Sequence, residues 1–155
     1  MKIKLVIGMV AAAVTVTAAA ATKPEDLIRT RQSGYSFMAW NMGRIKAQVA
    51  NPATYNKDEV MKAANVIAAI ANSGMGALYA PGTEKGKGWH PTEAKPEIFT
   101  DREGVKKVAM AFNQEANELA KVAGSGDVNA VKAQFAKLGD ACKGCHEKFK
   151  KKDKH

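Results

Sequence analysis

The chain has only two cysteines among its 155 residues, Cys142 and Cys145, and so has no framework of structural disulfides. Histidines are also scarce, at three, which restricts any all-protein metal site. Acidic residues number 15 against 24 lysines and arginines, giving a formal charge of +9. No segment alternates apolar and polar residues in the manner of a half-buried strand, and no segment repeats. Sheets and repeat architectures are thereby excluded. Nucleic-acid-binding motifs are also missing, so the positive charge points to acidic partners and away from nucleic acid.

What is present is one domain's worth of chain with enough apolar residues for a sizeable core. Residues 1–21 stand apart. Lys2 and Lys4 form a basic start, Leu5 to Val16 an apolar run, and Ala18-Ala19-Ala20 a small-residue cleavage site. The stretch is too short and too rich in alanine to read as a membrane span. The expectation is a signal peptide that is removed, leaving residues 22–155 as a mature domain with no membrane anchor. Loss of the leader's two lysines, with no acid lost, lowers the formal charge to +7.

Four helices follow from the spacing of apolar residues. Thr22 with Glu25, and Pro24 in the first turn, predict a capping box. Tyr35, Met38, Met42, Ile45 and Val49 then form a seam that should end near Asn51-Pro52. Asn56 with Glu59 opens a second helix, its face made of Val60, Ala63, Ile67 and Ile70, closed by Asn72-Ser73-Gly74. Residues 73–99 hold Gly74, Gly76, Pro81, Gly82, Gly86, Gly88, Pro91 and Pro96, which forbid a long regular element. This is a long crossover, with Leu78, Tyr79, Trp89, Ile98 and Phe99 as apolar anchors.

Thr100 with Glu103 predicts a third capping box, ahead of Val105, Val108, Phe112, Leu119 and Val122. Gly124-Ser125-Gly126 is a tight connection, and Asp127 caps the last helix. Val128, Val131, Phe135, Leu138, Cys142, Cys145 and Phe149 follow at 3-4 spacing. The fold class is all-α, an antiparallel four-helix bundle with one long crossover loop.

Cys142-Lys143-Gly144-Cys145-His146 carries the chemistry. Residues i and i+3 share one helix face, so both thiols reach the two vinyl groups of a single haem. His146 is then placed to ligate the iron axially. The same residues would otherwise be a redox dithiol, which needs a βαβ setting, or a zinc half-site, which needs two more ligands. Covalent attachment of haem c takes place on reduced thiols outside a bacterial inner membrane, so the periplasm is the expected compartment. Because both cysteines lie on the core seam, the haem should sit covalently in the bundle core. The motif lies close to the last residue, so a sixth ligand has to come from earlier in the chain.

Together with this motif, Lys23-Pro24-Glu25-Asp26, Arg31-Gln32, Pro81-Gly82-Thr83 and Lys95-Pro96-Glu97-Ile98-Phe99 occur in an order that resembles the class II cytochromes c, and within them the cytochrome c′ family. Members of that family are four-helix bundles, so the resemblance implies the same architecture as the helix spacing. It also implies Arg31 and Gln32 near the haem propionates, and Thr92 and Glu93 at the haem periphery. Tyr35 is placed by the same resemblance at the distal face, where low-spin members carry a methionine ligand. A desolvated phenol stays neutral, so Tyr35 should block the position without ligating, leaving five-coordinate, high-spin iron. Lys150 stands where members often carry an arginine over the proximal imidazole.

The expected role is therefore binding of neutral diatomic gases, nitric oxide and carbon monoxide, or electron transfer, with no catalytic residues and no enzymatic activity. Expected partners are a second copy of the chain, joined through the first two helices as in the family, and an acidic redox protein. Lys148, Lys150, Lys151, Lys152 and Lys154 could dock that protein or simply complement the helix dipole. Two rivals stay open: a low-spin electron carrier with Met38 or Met42 as a sixth ligand, and a haem-free dithiol protein. His90 and His155 are expected to be exposed non-ligands.

Overall fold

In a computed structural model, residues 22–152 are described; the expected signal peptide, Lys154 and His155 lie outside them. Four long helices form the bundle: α1 (Pro24–Ala50), α2 (Lys57–Ala71), α4 (Arg102–Ala123) and α5 (Val128–Phe149), with a single short turn of helix, α3 (Glu97–Thr100), before α4. No strand occurs among the described residues. Two isolated bridges, Lys87 to Pro91 and Ala94 to Lys150, are the only extended pairings there.

Local sequence sets the helix ends, with two departures from expectation. Asn56 caps α2, accepting from the Glu59 N–H at 3.1 Å, and Asp127 caps α5 through the Asn129 N–H at 2.8 Å. The box predicted at Thr22 does not form. Lys23 is the capping position of α1 and gives no side-chain bond, since its ammonium has no acceptor, and Pro24 opens the helix with its fixed φ. The box predicted at Thr100 is displaced by one residue. Thr100 closes α3, and Asp101 caps α4 by accepting from the Gly104 N–H at 2.8 Å. Asp101 is also paired with Lys148 at 2.6 Å, which ties the start of α4 to the end of α5. That pairing holds the Asp101 carboxyl below its ordinary value, helped by the Gly104 N–H.

Met38, Ile45 and Val49 of α1 meet Val60, Ala63, Ala64 and Ile67 of α2, Ala116, Leu119 and Ala123 of α4, and Val131 and Leu138 of α5. Alanine makes the seam narrower than the larger residues alone suggest, since Ala116 and Ala123 are fully buried while Val105 and Val108 are only partly so. Around the bundle, α2 packs on α1 and α4, and α4 on α5, whereas α1 and α5 touch sparingly. One side of the bundle is thus more open than the other three.

The crossover lies along that open side and is ordered. It begins with a 3-10 turn, Met75–Leu78, and ends with α3. Its fully buried anchors are polar, while of the expected apolar anchors Leu78, Tyr79, Ile98 and Phe99 are part-buried and Trp89 is not. Trp89 is 68% exposed, while Thr83 and Thr92 are buried against Arg31. At its far end the Lys95 N–H donates to the Phe149 carbonyl at 2.9 Å, and the Lys151 N–H to that of Glu93 at 2.8 Å. The crossover is therefore a strap from α1 to the last turn of α5.

Gly88 permits the closest approach of strap to helix. A Cβ there would lie 2.5 Å from the Arg29 nitrogen and 2.6 Å from its Cα. Those are backbone atoms and cannot rotate away. Gly88→Ala is expected to lower stability by about 1–3 kcal/mol and, by loosening the strap, to speed tryptic cleavage at the already exposed Lys85 and Lys87. An unchanged melting curve and digestion pattern would show that the strap does not rest on α1 there.

Candidate functional site

Cys142 and Cys145 project from one stretch of α5 in different surroundings. Both are half-buried free thiols. Cys142 packs against the main core, whereas Cys145 lies near the phenols of Tyr35 and Tyr79. Burial pushes both thiols above their ordinary value, and for Cys142 the neighbouring Cys145 adds to the effect. A redox dithiol needs the opposite, a thiolate stabilised near neutral pH. No group of three or more metal-ligating side chains occurs among the described residues, so the cysteine pair gains no further ligands for zinc. His146 follows on the same helix and is exposed; its carbonyl accepts from the Lys150 N–H at 3.0 Å.

Facing α5, Tyr35 stands on α1. Its hydroxyl accepts from that of Tyr79 at 3.2 Å. Tyr35 is 41% exposed overall, yet the protein packed around its phenol pushes the pKa far above the ordinary range, with Tyr79 adding to the effect. Burial raises Tyr79 as well, against the lowering influence of its bond to Tyr35 and of Arg31. The expected wall at Tyr35 is therefore not purely apolar, because two neutral phenols share a hydrogen bond. Met38 lies in the core cluster and Met42 packs against it.

Arg31 lies one helical turn before Tyr35 and is 3% exposed. Its Nη1 donates to the Leu78 carbonyl at 3.0 Å and to Thr83 Oγ1 at 2.8 Å. Its Nη2 donates to the Thr83 carbonyl at 2.8 Å and to Thr92 Oγ1 at 2.7 Å. The guanidinium also lies 4.4 Å from the centre of the Tyr79 ring. Burial pulls its pKa down, while Tyr79 and Tyr35 act in the other direction. Four of five N–H groups thus point into the strap, leaving Nε–H as the donor outside this set.

The other predicted site residues belong to the same strap. Gln32 Nε2 donates to the His90 carbonyl at 2.9 Å, and its Oε1 accepts from the Trp89 N–H at 2.8 Å. Thr92 is held by Arg31, and Glu93 pairs with Lys150 at 3.0 Å. His90 is exposed, as anticipated. The lysine tail is largely engaged within the chain. Lys148 pairs with Asp101 and Lys150 with Glu93, while Lys151 Nζ reaches the Thr92 carbonyl at 3.4 Å. Sequence reasoning treated Tyr79 only as an apolar anchor and Thr83 only as part of a motif. Nothing in the linear spacing places either one beside Arg31.

The arrangement fits a covalently held haem. Two free thiols at i and i+3 adjoin a histidine, on the side of the bundle where α1 and α5 make least contact. Burial holds both thiols above their ordinary pKa, and the two phenols near Cys145 share a hydrogen bond.

Known proteins agree with this geometry. A family profile described as Cytochrome C′ matches residues 26–150. Cytochrome c′ of Rhodocyclus tenuis is 63% identical over 131 residues, covering 84% of this chain and 98% of that protein. A cytochrome c′ structure described as having an unusual ligand-controlled dimer dissociation is 55% identical, with a TM-score of 0.82 over 86% of this chain and all of that one. A ferrous arginine-to-lysine variant of cytochrome c′ from Alcaligenes xylosoxidans with bound nitric oxide is 32% identical, with a TM-score of 0.76 over 86% and 99% of the two chains. The chain belongs to the cytochrome c′ family, whose members carry covalent haem c.

Proposed function

We propose that residues 22–155 form the mature, periplasmic protein, carrying one haem c with five-coordinate, high-spin iron that takes up nitric oxide or carbon monoxide. Haem c, when bound, supplies an iron centre able to accept a neutral diatomic molecule. Cys142 and Cys145 would hold it through thioethers, and His146 would ligate it axially. The observation that carries the reading is the Tyr35–Tyr79 pair facing Cys145, a wall of neutral phenols with no ligating group among them. Their raised pKa values keep both hydroxyls protonated at neutral pH, so neither supplies a phenolate. The bound nitric oxide in the Alcaligenes xylosoxidans relative supports a gas as the ligand.

Tyr35 excludes water and restricts the size of what approaches. Arg31, Gln32, Thr92 and Glu93 line the haem periphery by holding the strap, with Arg31 Nε–H left to meet a propionate. Met38 and Met42 are engaged in the core, which disfavours the low-spin alternative. The acidic redox partner has weaker support, because Lys148, Lys150 and Lys151 make contacts within the chain.

A second copy is the proposed partner, docking through α1 and α2. Phe37 and Trp40 on α1 stack with ring centres 5.9 Å apart and are 50% and 59% exposed. Arg44 covers Trp40 at 4.9 Å and also pairs with Glu59 of α2, so this shelf continues from one helix to the other. The relative whose dimer dissociates under ligand control supports a dimer.

Absorption and EPR spectra of the exported ferric protein should be high-spin, and its mass should equal residues 22–155 plus one haem. A low-spin spectrum with a sulfur-to-iron band would assign Met38 or Met42 instead, and a haem-free product would leave the dithiol protein. Tyr35→Ala should speed carbon monoxide binding to the ferrous protein by about tenfold, the effect of removing roughly 1.4 kcal/mol of barrier. An unchanged rate would remove Tyr35 from the ligand's path. Trp40→Ala, with an unaltered visible spectrum, should weaken the dimer by about tenfold or more in sedimentation experiments; unchanged association would place the interface elsewhere.

A further inference from the structure

We propose that Tyr79, in the strap, is the positioning residue for Tyr35, so that the hydrogen bond between their hydroxyls sets how readily a small ligand enters. This inference rests on the reading of Tyr35 as the distal residue.

Tyr79 is immobilised from several directions. Its N–H donates to the Gly76 carbonyl at 3.1 Å, closing the 3-10 turn. The carbonyl just before it, that of Leu78, accepts from Arg31 at 3.0 Å. One contact on its ring is the Arg31 guanidinium at 4.4 Å, and another is Phe99, tilted at 59° with centres 6.1 Å apart. Rotation of Tyr79 would disturb Arg31, and Arg31 is fixed by Thr83 and Thr92. Tyr79 therefore presents its hydroxyl from a frame that does not follow Tyr35.

Tyr35 has no comparable frame. It lies on the face of α1 toward α5 with 41% of its surface open. Beside it, Gly34 gives Met75 room, since a Cβ there would lie 3.0 Å from the methionine Cε. The start of the strap thereby lies against α1, and Tyr79 comes within reach of Tyr35. For Tyr35 to swing aside, its bond to Tyr79 has to break or Tyr79 has to leave its seat. The first route is the easier one, so the phenol–phenol bond resists opening. Both phenols remain protonated at neutral pH, which keeps the bond in place.

Carbon monoxide association with the reduced holoprotein tests this through a double-mutant cycle. Tyr79→Phe keeps the ring stacked on Arg31 and removes the donor. Tyr35→Phe removes the acceptor from the other side. Each should speed association by about three- to tenfold, the range expected for one net hydrogen bond. The double variant should be no faster than either single variant. A rate for Tyr79→Phe equal to the parent's, or effects that multiply in the double variant, would overturn the proposal while Tyr35→Ala still accelerates binding. A Tyr35→Ala protein with the parent's rate would instead mean that the distal reading itself had failed. Should Tyr79→Phe fold poorly, Tyr35→Phe probes the same bond without touching the strap.

Discussion

A buried guanidinium with no carboxylate paired to it among the described residues governs this structure. Arg31 is almost wholly enclosed, and desolvation disfavours its charge. It is retained by four hydrogen bonds to carbonyl and hydroxyl oxygens and by the face of Tyr79. These acceptors come from Leu78, Thr83 and Thr92, three separate points of the crossover. One side chain on α1 thus fixes the course of a glycine- and proline-rich segment with little regular structure of its own. From Thr92 the segment continues to Glu93 and Lys95, whose backbones bond to the end of α5. The link from Arg31 therefore reaches the helix that carries both thiols and His146.

Much of this was legible in the sequence, for reasons that separate local from tertiary causes. Asn56 and Asp127 cap the next turn of their own chain, so neighbouring residues suffice to identify them. The 3-4 spacing of Val131, Leu138 and Cys142 reports burial because a helix repeats one face. Thr22 and Thr100 had the same local signature and failed. Pro24 starts α1 on its own, and Asp101 both caps α4 and attracts Lys148 from α5. In the second case the partner that Asp101 gains, Lys148, lies on another helix, where no local pattern reaches.

The strap was least legible. Trp89 looked like an apolar anchor because indoles are usually buried, yet its indole N–H donates to Ser33 and its face meets Arg29 on the surface. Thr83 and Thr92, small and polar, anchor the segment instead. Residue type predicts burial only when partners are absent from the argument, and here the partner is Arg31. The same blindness hid Tyr79. A tyrosine among glycines carries no periodicity, and its importance arises only when α1 places Tyr35 opposite. Arg31 and Gln32 were expected near haem propionates, and the bonds they make in the structure run to the strap.

The two thiols sit at the boundary between these regimes. Cys142 belongs to the core, where positions are fixed by close packing of Met38, Leu138 and their neighbours. Cys145 faces the phenols, where positions are fixed by a few hydrogen bonds across the strap. Packing of that density resists displacement in every direction, whereas a hydrogen bond of 3.2 Å between two hydroxyls opens along one. Substitutions on the core side are therefore expected to change stability first and, on the proposed reading of Tyr35 as the distal residue, substitutions around it to change access first. A bundle able to hold a cofactor rigidly and still admit a small molecule needs both properties within one helical turn. The i, i+3 spacing of the cysteines is what places them there.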